Sequence, residues 1–248
     1  MSNRSKIPFL VAMVVTTLAL CLEGCPTRPN APYPPPVQRR VPGQTPEPAP
    51  GQPHEGRPYD IVSDQSLLTL LVFRGGPLAK AGHNHVIASH ALRGTLYVPA
   101  DLARATFDVH FPVAELTVDE AALRAKENEA DFPPDVPDSA REGTRKNMLG
   151  AALLDAEHHP DIDLRSSGLE RSGSQWIAHV TATVRDHDST IAVPVRYEPQ
   201  GDEVFVSGEF PLKQTDLGLT PFSALLGALQ VVDEMKVRFR IVAHAARK

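Results

Sequence analysis

The chain has 248 residues, 42% hydrophobic and 22% charged, with 24 prolines and two cysteines. Twelve of the prolines lie between Pro26 and Pro58, a density that no helix or sheet tolerates, since each proline removes a backbone donor and fixes φ. From Tyr59 onward 19 Lys and Arg stand against 27 Asp and Glu, a net of −8, which makes nucleic acid and anionic lipid surfaces poor partners. Cys21 and Cys25 precede all of this, so the domain beyond has no thiol for disulfides, thiol nucleophiles, Cys-ligated zinc or iron–sulfur clusters.

In chain order, Arg4 and Lys6 introduce an apolar run of 16 residues, Ile7 to Leu22. A membrane span needs about 20 apolar residues, so residues 1–24 read as a signal peptide. Leu22-Glu23-Gly24-Cys25 resembles the bacterial lipobox, with Glu23 departing from its usual small or aliphatic residue. That resemblance implies acylation of Cys25. Pro26 follows the cysteine where inner-membrane retention in enteric bacteria uses aspartate, which points to the periplasmic side of the envelope, anchored to the outer membrane as a lipoprotein. Residues 25–58 then form a Pro-rich tether. At about 3.1 Å per residue it reaches on the order of 100 Å when extended.

Residues 59–248 form the folded domain, and its dominant period is two. Phe107, Val109 and Phe111 share one face; Trp176, Ala178, Val180, Ala182 and Val184 share another; Val237, Phe239, Ile241 and Ala243 a third. Such alternation belongs to antiparallel strands with one apolar and one wet face. Further strands are expected at 66–74, 92–98, 161–169, 189–197 and 203–213. Two stretches, 119–128 and 139–154, carry helix formers at helical spacing, and the three prolines of 131–138 require a loop between them. Many strands with one helical insertion predict an all-β fold, an antiparallel barrel of about eight strands, because closure removes exposed edges. An open sandwich is the alternative. A barrel of this size can hold one small ligand. The apolar positions that would line it are Leu70, Val72, Phe107, Val109, Phe111, Trp176, Val180, Phe210, Phe222, Val237 and Phe239. For Trp176 ordinary packing competes with cavity lining, and Phe222 with Leu225, Leu226 and Leu229 reads equally as a lid or as packing.

Polar candidates are fewer. His83 and His85 would point to the same side of a strand and could share a metal, but a closed site needs three or four ligands, so hydrogen bonding to backbone or solvent is the preferred reading. Asp186-His187-Asp188 reads as a polar hairpin tip, and His158-His159-Pro160 as a turn before a strand. No G-x-S-x-G, H-E-x-x-H, P-loop or G-x-G-x-x-G occurs, and no enzymatic activity is expected.

Four segments, Gly76–Ile87 (GPLAKAGHNHVI), Asn147–Leu164 (NMLGAALLDAEHHPDIDL), Thr183–Val195 (TVRDHDSTIAVPV) and Gly208–Leu217 (GEFPLKQTDL), stand in the order expected of YceI-like proteins. The resemblance covers about residues 59–244. It implies a lipocalin-like antiparallel β-barrel, periplasmic or secreted, that binds a polyisoprenoid or similar apolar lipid and has no catalytic residues. A bound isoprenoid or quinone-like lipid is the only cofactor-like molecule implied. Nothing specifies an oligomeric state. Two other readings stay open: a histidine-dependent metal or redox protein, and a fully packed structural or stress-response scaffold without ligand.

Overall fold

Alternating apolar residues can be satisfied only if each strand finds two neighbours and turns its apolar face inward. The computed structural model, which describes residues 54–247, does this by closing a barrel. Its strands are β1 (Arg57–Ile61), β2 (Leu67–Val72), β3 (Arg74–Gly75), β4 (His85–Ser89), β5 (Arg93–Val98), β6 (Thr106–Pro112) and β7 (Thr117–Val118). Two helices follow, α1 (Ala121–Arg124) and α2 (Asp138–Leu149). The chain ends with β8 (Asp161–Ser172), β9 (Gln175–Val184), β10 (His187–Gln200), β11 (Glu203–Lys213), β12 (Ser223–Ala224), β13 (Leu229–Val231) and β14 (Glu234–Ala245).

Eight staves make the wall, and three of them are broken. β1 and β2 both pair with β14, with Ile61 opposite Ala243 and Leu67 opposite Arg240. They are one stave interrupted by a turn at Ser63–Gln65. β5 pairs with β1 and β4 with β2, forming the second stave. β6 and β7 form the third, against β5 and β4. β8, β9, β10, β11 and β14 follow in chain order, and β14 returns to β1. At the first break the Ser66 hydroxyl donates to the Val62 carbonyl at 2.8 Å and accepts from the Val242 amide at 3.0 Å. It thereby satisfies groups that the interrupted ladder leaves unpaired.

The barrel agrees with the fold expected from the alternation. Strands appear at every expected position, and the first begins at Arg57, two residues ahead of Tyr59. His54 stacks on Tyr97 with ring centroids 3.9 Å apart. The helical insertion is shorter than its composition suggests: 119–128 yields only Ala121–Arg124, and 139–154 yields Asp138–Leu149. Strand β4 escapes the period-two pattern because all five of its residues are buried. Ile87 faces the barrel interior, while Val86 and Ala88 pack outward with Leu71, Leu123 and Phe132 in a second apolar layer under the insertion. The leader, Cys25 and the tether as far as residue 53 lie outside the described residues.

Candidate functional site: an apolar hollow and its mouth

Inside the barrel the side chains do not quite meet. A hollow of about 170 Å³ remains, bounded only by Leu, Ile, Val, Ala, Phe and Met side chains. Eight of the positions picked from the alternation face it: Leu70, Phe107, Val109, Phe111, Val180, Phe210, Val237 and Phe239. They come together because a period of two places each on the inner side of its stave. With no polar group in the lining, the hollow can do only one thing chemically: remove hydrocarbon from water, at about 25 cal/mol per Å² of apolar surface. It is comparable with the cavities of roughly 150 Å³ known to take benzene, and smaller than the ~300–1,000 Å³ of ordinary ligand sites.

Three of the eleven positions lie elsewhere. Trp176 does not line the hollow. It starts β9, packs beside Ala178, Val180, Val193 and Val195, and carries the Arg171 guanidinium 5.3 Å from its ring centre. Val72 and Phe222 line a separate pocket of about 360 Å³ at the barrel end beneath α2 and the β12–β13 hairpin. Leu229 lines it too, whereas Leu225 and Leu226 project into solvent from a turn with left-handed backbone at both residues.

This mouth is mainly apolar but carries Arg74, His83, His85, Thr144, Asn147 and Gln230 in its wall. Asp119 organises it from a left-handed backbone conformation (φ 54°). Its Oδ1 accepts from the Val86 amide at 2.8 Å and from Arg124 at 2.7 Å, and its Oδ2 lies 2.6 Å from His85 Nδ1. A carboxylate only accepts, so Nδ1 carries the hydrogen, and Nε2 lies 3.0 Å from the Thr144 hydroxyl. Burial acts to raise the Asp119 carboxyl, but the hydrogen bonds from His85 and Val86, with the charges of His85 and Arg124, outweigh it and hold the group below its ordinary value. Arg124 is fixed further by the carbonyls of Pro133 at 2.6 Å and Asn84 at 2.9 Å. Burial, with the nearby charges of His85, Arg124 and Arg74, lowers the pKa of His83.

The two histidines therefore do not form a matched pair. Their ring centres are 6.1 Å apart, and both nitrogens of His85 are engaged by protein groups. Among the described residues no group of three or more His, Cys, Asp or Glu converges as a metal site would require. Asp119, Arg124 and Thr144 were invisible in the sequence as partners of His85, because the first two sit in a helix-like acidic and basic run and the third on a different helix. His158 donates to Asp155 at 3.0 Å at the surface turn before β8, and Asp188 accepts from Thr183 at 2.6 Å beside the β9–β10 turn.

The sequence pattern of the YceI-like domain matches residues 79–243. The chain belongs to the YceI-like family. Among solved structures this YceI-like chain resembles BcnA of Burkholderia cenocepacia, with a TM-score of 0.54, 17% identity, and coverage of 74% of this chain and 99% of that one. It also matches a YCEI protein of Campylobacter jejuni at a TM-score of 0.44, 11% identity, and coverage of 63% and 82%. No curated protein matches the sequence. The YceI-like barrel is thus a fold whose interior suits an apolar ligand, here with a hollow reduced to a narrow apolar space.

Proposed function

We propose that this protein is a non-catalytic carrier or store that holds an apolar lipid chain of the polyisoprenoid type inside its barrel, on the periplasmic side of a bacterial envelope, tethered through Cys25. The observation that carries this reading is the hollow itself: a closed wall of eight staves around a space with no polar side chain facing it. A scaffold stabilised only by its core gains nothing from such a space, since unfilled apolar volume costs on the order of 20–25 cal/mol per Å³. Its modest size admits a segment of such a chain and not the whole of it.

Organic extraction of protein purified from its own host's envelope fraction, followed by mass spectrometry, tests the reading. An apolar chain recovered in near-stoichiometric amount supports it. Protein that arrives empty, and that fails to enhance the fluorescence of an apolar dye such as N-phenyl-1-naphthylamine, rejects it.

A further inference from the structure

The hairpin of β10 and β11 is zipped over only five residue pairs, from Gln200 opposite Glu203 to Arg196 opposite Ser207. Both strands continue well beyond that point, β10 back to His187 and β11 forward to Lys213. Each keeps its other neighbour there: β10 stays paired with β9 from Val195 to His187, and β11 with β14 from Gly208 to Lys213. Two prolines stand in the unzipped stretch. Continuing the same register would place Pro194 opposite Glu209 and Pro211 opposite Ala192, and neither proline has an N–H to donate across the gap. The wall therefore carries a seam along these segments.

Opposite sides of the seam differ in chemistry. On the inside, Val193, Val195, Phe210 and Leu212 border the hollow. On the outside, a groove of about 490 Å³ runs over the same strands, and Val195 and Phe239 border both spaces. Gly208 makes room for this arrangement, since a Cβ there would lie 2.6 Å from the Phe239 ring and 2.3 Å from the Pro194 carbonyl oxygen. The groove is net basic within an acidic domain, with Arg196, Arg238 and Arg240 against the single carboxylate of Glu209 in its wall. Arg238 is spoken for by Glu209 at 2.8 Å and Glu127 at 2.7 Å. Among the described residues Arg240 meets the Gln65 carbonyl, at 3.4 Å, and the face of Phe205. Arg196 has no carboxylate within ion-pair distance among the described residues.

We infer that the seam is a ligand portal and the groove an anion site. The molecule that fits is an amphiphile whose single apolar chain passes between β10 and β11 into the hollow. Its carboxylate or phosphate head stays outside against Arg196 and Arg240, whose planar guanidinium groups suit either anion. The inference rests on the hollow being a ligand site, and it accounts for a hollow smaller than a whole lipid: the chain's inner end is enclosed and the rest lies in the groove.

Calorimetric titration of the full-length protein with decanoate, decyl phosphate and 1-decanol separates the possibilities. The anion site predicts that at least one of the two anions binds tenfold or more tightly than the alcohol, and the tighter of the two identifies the head group. In the R196Q/R240Q double variant that advantage disappears while 1-decanol binds as before. Anion binding that survives the double substitution, or that is lost instead in an R74Q/H83Q variant at the mouth, overturns the site. Failure of all three compounds to bind overturns the hollow as a ligand site, and the portal with it. For the seam, Ala192→Cys with Pro211→Cys, in a chain whose Cys21 and Cys25 are serine, is joined by a short bis-maleimide. The cross-link should slow anion exchange at least tenfold with little change in affinity; exchange at the uncross-linked rate places entry elsewhere and overturns the portal. Hydrogen exchange on the unliganded protein provides a check independent of any ligand. Within Asp188–Val193 the amides that face the gap, and not those bonded to β9, should exchange at least tenfold faster than the Glu198 amide of the zipped stretch, and equal protection contradicts the seam.

Discussion

Arg124 donates to Asp119 at 2.7 Å with side chains 2% and 0% exposed, an ion pair sealed between β4 and the helical insertion. Removing one member of such a pair leaves a buried charge without its partner. Asp119→Ala should therefore cost about 3–5 kcal/mol, read as a shift in the urea unfolding midpoint. The pH dependence has a definite sign. The Asp119 carboxyl is held below its ordinary value of 3.8, so its contribution is complete above that value and is lost as pH falls through the lower folded-state value. Wild-type stability should drop on acidification below about pH 4, and the Asp119→Asn curve should be flatter across that range.

Filling the hollow distinguishes a carrier from a solid core. Ala178 is buried and borders the free space. In a fully packed interior Ala178→Phe would cost about 1–3 kcal/mol. With space available, the expected loss is under about 1 kcal/mol, accompanied by weakened uptake of an apolar dye. Calorimetric unfolding and dye titration on the same preparation report both quantities.

The β9–β10 turn offers a stabilising change. Arg185 and Asp186 both adopt left-handed backbone, with φ of 51° and 60°, the conformation that two-residue hairpin turns reserve for Asn-Gly or Gly-Gly. Arg185 is tied to the Leu153 carbonyl at 3.1 Å, whereas Asp186 is exposed and reaches His159 only at 3.4 Å. Asp186→Gly should raise stability by about 0.5–1 kcal/mol, seen as a higher melting temperature with unchanged dye binding.

Acylation of Cys25 has a simple readout. Cys25→Ser should move the protein from the membrane pellet to the soluble fraction of disrupted cells without altering the melting temperature of the barrel. Unchanged fractionation would argue for an uncleaved apolar leader as the anchor.

Much of the architecture was legible from the period-two pattern alone, because most staves are wet on one side and greasy on the other. Phe107, Val109 and Phe111 disclose β6, and Val237, Phe239 and Ile241 disclose β14, for that reason. The pattern fails where the wall is covered on both faces. His85–Ser89 shows no alternation because Val86 and Ala88 are as deeply buried as Ile87. It also fails at strand ends, where Trp176 keeps the inward parity of β9 yet lies beyond the enclosed space. The polar mouth was illegible because Asp119, His85 and Thr144 meet only through the folding of α2 over the barrel, a relation that spacing along the chain does not record. The seam, by contrast, is written in Pro194 and Pro211, two residues that look like ordinary strand interruptions until both are found on facing edges.

The last strand also has a bearing on how the molecule is made. Glu234–Ala245 pairs with β11 and with both halves of the first stave, so the circle cannot close until this strand has been made. Hairpins within the chain can form early, since their partners are near in sequence, but the finished molecule cannot. Until β14 is in place, the apolar inner faces of the earlier staves have no closed interior to shelter them.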